Sequence, residues 1–342
     1  MKKFFFASAL ILLFAAGFFS WFAPAAWLST PESDAQSVKF DVPDGATPSE
    51  VGEALQERGI IGSAWGYSLY VRIDATARRP KAGDYLVKSG MSYRKLARLF
   101  ALGPERNEIE VKIIEGWDLS DEEAALAKYG VEGKDFRAMS GNYNAKKGFD
   151  PALKEDHAFL SELPADSSLE GYLFPDTYRV WQDQLPESLV LKQLTQFSKL
   201  YDEISSELKK QGRSLDELMV LASIVEREAA SAEDKKMVAG IYLNRIKRGM
   251  LLQSDATVNY VTGAGRARPT LDDLAVDSPF NTYKYKGLPP APICNPGKES
   301  ILAALNPTPS DYLYYLHDAE GKSYYARTLE EHKVNRWKAY GE

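Results

Sequence analysis

The hydrophobic pattern begins with an apolar run from Phe4 to Leu28 that follows Met1-Lys2-Lys3 and contains no charged residue. The run exceeds the roughly 20 residues needed to cross a bilayer, and the lysines before it predict that this end stays in the cytoplasm. The expected layout is a cytoplasmic tip at 1–3, a single-pass transmembrane anchor over 4–28 and a polar linker over 29–37. A cleaved signal peptide is the alternative, with Ala23-Pro24-Ala25 as its small-residue site, although the apolar regions of such peptides are typically shorter.

After the linker one pattern recurs three times: a short β-like run, then Gly, one residue, a helix-capping residue, and a helical run closed by Gly. The first copy is Lys39-Phe-Asp-Val42 with Gly45-Ala-Thr47, its helix carrying Val51 and Leu55 to Gly59. The second is Tyr85-Leu-Val87 with Gly90-Met-Ser92, carrying Leu96, Leu99 and Phe100 to Gly103. The third is Ile109 to Ile114 with Gly116-Trp-Asp118, carrying Ala125 and Leu126 to Gly130. Glycine permits the tight turn, and Thr, Ser or Asp accepts the first backbone N–H bonds of the helix. From 131 to 168 the pattern gives way to Gly, Asn, Pro and charged residues, which predicts a joint between a domain at 38–130 and a second at 169–342. Short strands mixed with helices predict an α+β fold.

The second domain carries the sharpest helix signal. Ser214-Leu-Asp-Glu217 is a capping box, and Leu215, Leu218, Leu221, Ala222 and Val225 follow at helical spacing. At about 100° per residue, Glu226 and Glu228 flank that stripe on opposite sides while Arg227 points away. An acid held against an apolar wall resists ionisation and can still donate its proton at neutral pH. Periodicity does not choose between the two glutamates, and a solvated helix end is the plain alternative for both. Ser231-Ala-Glu-Asp234 caps a further helix carrying Met237, Val238, Ile241, Tyr242 and Ile246 to Gly249.

Composition narrows the chemistry. The 342 residues suffice for two domains, and 44% hydrophobic with 12% aromatic content suits packed structure. A net charge of -6 and a pI near 5.4 argue against a nucleic-acid partner and make a neutral or zwitterionic polymer the more natural ligand. Cys294 stands alone, with no histidine near it in sequence, and reads as structural. His157, His317 and His332 are scattered, so no metal site is expected, and no serine-nucleophile elbow or P-loop is present.

Two further stretches follow these helices: Leu252-Gln-Ser-Asp-Ala-Thr-Val-Asn-Tyr260, and then Ser278-Pro-Phe-Asn-Thr-Tyr283 with Gly287-Leu-Pro-Pro-Ala-Pro-Ile-Cys-Asn-Pro-Gly297. With Glu170-Gly-Tyr-Leu-Phe-Pro-Asp-Thr-Tyr178 upstream, this order of motifs closely resembles the MltG (YceG-like) family of endolytic murein transglycosylases, over nearly the whole chain. The small strand-turn-helix units are similar to LysM modules, which in other proteins bind glycans containing N-acetylglucosamine; plain packing units are the alternative. Trp117 is the residue to stack on a sugar if the units bind glycan, and a buried Trp is the other reading.

The resemblance implies a mainly helical YceG-like catalytic domain that needs one acid and no cofactor. The acid protonates the bond between N-acetylmuramic acid and N-acetylglucosamine, and the muramic C6 hydroxyl attacks. The same residue then takes that proton, leaving an anhydro-muramyl end. Glu228 matches the family's acid, and Glu226 becomes a supporting or substrate-orienting carboxylate. Gln253, Asp255, Asn281, Tyr283, Glu170, Tyr172 and Asp176 are the candidates for the sugar cleft. Asp255 capping a helix from Ala256 and Asp176 ordering a turn are the plain alternatives. One departure stands out: such enzymes commonly carry Ser or Thr after the acid, and this chain has Ala229. The implied partners are peptidoglycan strands and the synthases that elongate them, at the outer face of the cytoplasmic membrane. A glycan-binding scaffold without catalysis and a two-carboxylate glycosidase using Glu226 or Asp255 remain as rivals.

Overall fold

The computed structural model describes residues 37–74, 79–104, 107–143, 145–164, 166–265 and 269–341. The expected tip, anchor and linker up to residue 36 lie outside the described residues; among those described, no helix is long and apolar enough to cross a membrane. The chain divides into two compact units, one ending at Arg106 and one beginning at Asn107.

The first unit runs β1 (Ser37–Val42), α1 (Pro48–Glu57), α2 (Ala64–Ile73), β2 (Gly83–Lys88) and α3 (Tyr93–Leu102). β1 and β2 pair antiparallel, with Phe40 opposite Tyr85. Alternation puts Phe40, Val42, Tyr85 and Val87 on one buried face, where they join Leu55, Tyr67, Leu96 and Phe100 in a core. The predicted caps Thr47 and Ser92 are in place. The repeat pattern did not anticipate α2. It buries Gly66, Tyr67, Tyr70 and Val71, residues of modest helix propensity that leave no Leu-rich stripe to read.

The second unit begins with β3 (Glu108–Lys112), α4 (Leu119–Ala127), α5 (Gly133–Ser140), β4 (Thr177–Trp181) and the long α6 (Glu187–Gln211). It continues with α7 (Leu215–Glu228), α8 (Ala232–Lys247), α9 (Asp255–Thr262), α10 (Leu271–Leu274) and α11 (Lys298–Leu305). β5 (Tyr314–His317), β6 (Ser323–Ala326) and α12 (Leu329–Tyr340) close it.

Two boundaries differ from the sequence reading. The third strand–helix copy belongs to this unit, because β3 pairs antiparallel with β4, Val111 opposite Tyr178. Residues 131–168 are not a joint: α5 and two 3₁₀ turns bury Phe136, Phe149, Phe159 and Leu160 in the core that surrounds α7. Short 3₁₀ turns space apolar residues without a 3.6-residue period, so this segment shows no stripe.

α7 starts at the predicted Ser214 capping box, and every residue from Leu218 to Val225 is buried. It packs against α8, α9 and α11 as a central helix enclosed on all sides rather than by one stripe. Its last turn is where the apolar run stops and polar chemistry begins.

Candidate active site

Three consecutive residues end α7, and each meets a different partner set. Glu226 Oε1 accepts from Lys235 Nζ at 3.2 Å and Oε2 accepts from the Gly297 N–H at 2.9 Å. The pair is buried, with the side chains of Glu226 and Lys235 9% and 5% exposed. Arg227 donates to the Gly116 carbonyl at 3.0 Å and to Asp118 Oδ2 at 3.4 Å. Gly116 has φ +81°, a conformation that glycine adopts freely. These bonds clamp the helix end on two sides.

Glu228 turns to a third side. Its Oε1 accepts from Ser254 Oγ at 2.5 Å and its Oε2 from Tyr315 Oη at 2.7 Å. Tyr315 Oη also lies 2.7 Å from Tyr242 Oη on α8, with the rings edge-on at 6.0 Å. Burial first, and the neighbouring Glu228 charge next, push both tyrosine hydroxyls well up, so they remain protonated at neutral pH. The apolar wall expected beside the acid is therefore a set of hydroxyls. Ala229 supplies none, but Ser254 does so from 26 residues downstream.

The loop that delivers Ser254 is held tightly. Gln253 adopts φ +52°, a conformation costing about 1–3 kcal/mol for a non-glycine residue. Its N–H donates to the Thr282 carbonyl at 3.1 Å, and the Ser254 N–H donates to Thr282 Oγ1 at 3.0 Å. Buried Arg245 donates to the carbonyls of Leu252 at 2.7 Å and Leu313 at 2.6 Å. One guanidinium thus ties the Ser254 loop to the strand that carries Tyr315.

These elements enclose a cavity of about 360 Å³, lined among others by Glu228, Gln253, Asp255, Tyr283, Tyr314 and His332. Asp255 is not a cap: α9 begins at Asp255 with Ser254 in the N-cap position, and Asp255 Oδ1 accepts from Tyr283 Oη at 2.5 Å. His332 stacks on Tyr314 at 5.3 Å. Burial, then the charges of Arg245 and Arg336, lower its pKa, which favours the neutral ring.

Of the expected site residues, the cavity gathers Glu228, Gln253, Asp255 and Tyr283. Asn281 is fully buried behind it, donating to the carbonyls of Leu274 at 3.0 Å and Val276 at 2.8 Å and accepting the Tyr283 N–H at 3.0 Å. It builds the turn that presents Thr282 and Tyr283. Glu226 lies outside the cavity in its ion pair. Tyr172 is a core residue whose hydroxyl donates to Asp216 at 3.0 Å, and exposed Asp176 accepts the Thr177 N–H at 2.7 Å, the plain turn role. Glu170 is buried, accepts from the Leu119 N–H and Tyr260 Oη, and borders a different cavity.

The upstream and downstream motifs are joined by Asn295. Its Oδ1 accepts the N–H groups of Gly171 at 2.8 Å and Leu173 at 3.2 Å, while Nδ2 donates to buried Glu122 at 2.8 Å. Trp117 is half-buried against the same core, and its carbonyl accepts the Asn295 N–H. Cys294 is buried with Sγ donating to the Ser223 carbonyl at 3.2 Å. Among the described residues, no group of His, Cys, Asp and Glu could hold a metal ion.

Sequence reasoning missed Ser254, Tyr242, Arg245, Tyr314, Tyr315 and His332. Ser254 sits between two nominated residues, and Tyr242 was read only as an apolar helix position. Nothing periodic marks the others, because they reach the site through tertiary packing. The chemical point lies in the partners. A hydroxyl both donates and accepts, so Ser254 and Tyr315 can serve Glu228 with or without its proton. Among the described residues, no lysine or arginine pairs with it.

Known proteins share this chain's sequence over most of its length. Residues 40–338 match the model of the YceG-like family. An endolytic murein transglycosylase of Bacillus subtilis (strain 168) is 31% identical over 322 residues, 89% of this chain and 86% of that protein. One from Streptococcus pneumoniae serotype 2 is 30% identical over 346 residues, covering 95% of this chain, which spans 63% of that longer relative. The crystal structure of a yceG-like protein from Listeria monocytogenes is 30% identical, with a TM-score of 0.59 over 88% of this chain and all of that one. The chain belongs to the YceG-like family.

Proposed function

We infer that this chain is an endolytic murein transglycosylase that cleaves the bond between N-acetylmuramic acid and N-acetylglucosamine within peptidoglycan strands. The observation that carries the reading is the setting of Glu228: a carboxyl in an open cavity whose two partners are reversible hydroxyls. As an acid, Glu228 protonates the glycosidic oxygen and the bond to the anomeric carbon breaks. The C6 hydroxyl of the same muramyl residue attacks that carbon, and the Glu228 carboxylate takes the hydroxyl proton. One residue thus serves both steps, no water is consumed, and the product carries a 1,6-anhydro ring. Ser254 and Tyr315 stabilise the anion that exists between the steps.

Glu226 does not fit the second carboxylate of a hydrolase, since its partners hold it outside the cavity. Asp255 lines the same cavity as Glu228 and keeps the hydrolytic alternative open to test. The β–α–α–β order of the first unit supports a LysM-like glycan module. A membrane anchor over 4–28 would hold both units at the outer face of the cytoplasmic membrane, where strands emerge from their synthases, and cleavage there would terminate elongation.

The test is digestion of isolated peptidoglycan by the full-length protein in ¹⁸O-water, with mass spectrometry of the fragments and Glu228→Gln alongside. Anhydro-muramyl ends without ¹⁸O from the wild type alone are expected. Reducing ends carrying ¹⁸O, lost in an Asp255→Asn variant, would establish hydrolysis with Asp255 as the second carboxylate, and glycan binding without cleavage would establish a scaffold.

A further inference from the structure

The second unit contains another cavity, of about 330 Å³, whose lining includes Asp118, Arg137, Tyr143, Glu170, Arg227 and Tyr260. It shares two elements with the catalytic cavity. On α7, Arg227 lines this cavity while its neighbour Glu228 lines the other. On α9, Asp255 lines the catalytic cavity and Tyr260 the second, about 7.5 Å further along the helix axis. A polymer crossing the end of α7 could therefore occupy both.

The lining is mostly polar and its charges are already matched. Arg137 Nε pairs with Glu123 at 2.7 Å, and Arg227 Nη2 with Asp118 at 3.4 Å and Asp121 at 3.8 Å. Among the described residues of this lining, no uncompensated cation is left to draw a phosphate or a free carboxylate. Two aromatic rings, Tyr143 and Tyr260, are fixed against Phe280, each with centroids 5.1 Å away. Glu170 sits in the wall, 3% exposed. Burial foremost, and then the Asp118 charge, push its carboxyl well above the usual range, favouring the neutral acid. A neutral carboxyl offers a donor beside an acceptor. That arrangement complements the C=O and N–H of a secondary amide.

We propose that this cavity is a second saccharide subsite, taking an N-acetylated hexosamine of the same strand that Glu228 cuts. The proposal rests on the murein reading above. The tyrosine rings receive the C–H face of the sugar, Glu170 meets its acetamido group, and Asp118 and Arg227 face its hydroxyls. A strand long enough to reach both cavities then binds more tightly than one that fills only the first.

Ser120 allows the cavity to be blocked without emptying the core. It is exposed and lines the cavity; its side chain accepts a surface bond from Arg137 Nη2 at 3.1 Å, and its N–H donates to Asp118 Oδ1 at 2.8 Å through the backbone, which a substitution leaves in place. In the full-length Glu228→Gln protein, which lacks the proposed acid, calorimetric affinities for short and long β-1,4-linked N-acetylglucosamine oligomers are compared between Ser120→Trp and Ser120→Ala. Any contribution of the first unit is common to both variants and cancels. Ser120→Trp should lose about tenfold or more in affinity for long oligomers, with short ones unchanged. Should the indole swing outward, Tyr143→Ala, which removes one platform, gives the same selective loss. If neither variant weakens long oligomers more than short ones, the subsite is overturned while the murein reading stands. If the parent protein binds no oligomer, the subsite is overturned, and the peptidoglycan digestion above decides the murein reading separately.

Discussion

Replacing Tyr315 by Phe removes one oxygen from the site and leaves the ring packed against Tyr242. The lost bond runs 2.7 Å from Tyr315 Oη to Glu228 Oε2. Hydrogen bonds to charged groups contribute about 1.5–3 kcal/mol, roughly twice a neutral bond. In the proposed mechanism the charge on Glu228 develops as its proton passes to the leaving oxygen, so the bond strengthens as the glycosidic bond breaks. Only the part gained between ground state and transition state affects the chemical step. If most of it is realised there, kcat falls by about one to two orders of magnitude, at 1.36 kcal/mol per tenfold. The substitution also removes one partner of the Tyr242 hydroxyl, which remains close to Ser254. The associated stability cost is about 1 kcal/mol, which shifts Tm without unfolding the protein. The assay is the initial rate of anhydro-muramyl end release from isolated peptidoglycan, normalised to folded protein by circular dichroism. Tyr242→Phe touches no carboxylate directly and should lose less. A folded Tyr315→Phe protein with the wild-type kcat would refute the view that these hydroxyls stabilise the Glu228 anion.

Ser254→Ala should lower kcat by about tenfold with little change in Tm, because Ser254 makes no side-chain cap bond to α9 and its hydroxyl goes to Glu228 instead. Glu226→Gln leaves Lys235 buried without its carboxylate and should cost about 3–5 kcal/mol in denaturant unfolding, with activity per folded molecule retained; lost activity at unchanged stability would instead return Glu226 to the substrate. Gly171→Ala should destabilise by at least about 1–3 kcal/mol, since Gly171 has φ +90° and a Cβ there would lie 2.5 Å from Pro292 Cβ; a variant as stable as the wild type would contradict this close approach. Burial raises the Glu122 carboxyl from its ordinary 4.5 to about 8, so between those values only the folded state holds the proton and stability falls as pH rises, by up to about 1.4 kcal/mol per unit. Glu122→Gln should flatten that part of the stability–pH curve, and an unchanged slope in urea unfolding between pH 5 and about 8 would show that Glu122 does not carry the proton.

What the sequence makes legible is local. The caps at Thr47, Ser92, Asp118, Ser214 and Ser231 all stand where the spacing of polar and apolar residues puts them, because a cap is an interaction over three residues. Domain limits were less readable. β3 looks like a third copy of the repeat, but its partner β4 lies some 65 residues further on, and pairing at that range leaves no trace in periodicity. The buried network of Glu122, Gln193 and Asn295 was equally hidden, as were the bonds that Glu170 accepts from the Leu119 N–H and Tyr260 Oη. Asn295 and Glu170 stand in legible motifs, yet their targets are N–H groups and side chains far along the chain. Tyr172 and Asn281, both expected at the sugar cleft, bond to protein groups instead. For the acid itself periodicity leaves two glutamates at the end of one helix, and the family resemblance, not spacing, points to Glu228. What packs against each glutamate is supplied by tertiary structure alone.

The contrast between those two glutamates also accounts for Ala229. A hydroxyl immediately after the acid would reach it only from the residue that leaves the helix; here Ser254 approaches from a loop fixed by Thr282 and by Arg245. The position is over-determined: Gln253 is held in a left-handed conformation, and Ser254 is bound through its N–H on one side and by Thr257 Oγ1 at its carbonyl on the other. Geometry of that kind suits a group that must follow a carboxyl through loss and recovery of a proton without moving away. Lys235 and the Gly297 N–H can only donate, so the same carboxyl chemistry at Glu226 has no acceptor to turn to when protonated. The helix therefore carries one glutamate set by donors into the scaffold and one set by hydroxyls into the cavity. A single residue acting first as acid and then as base requires the second setting.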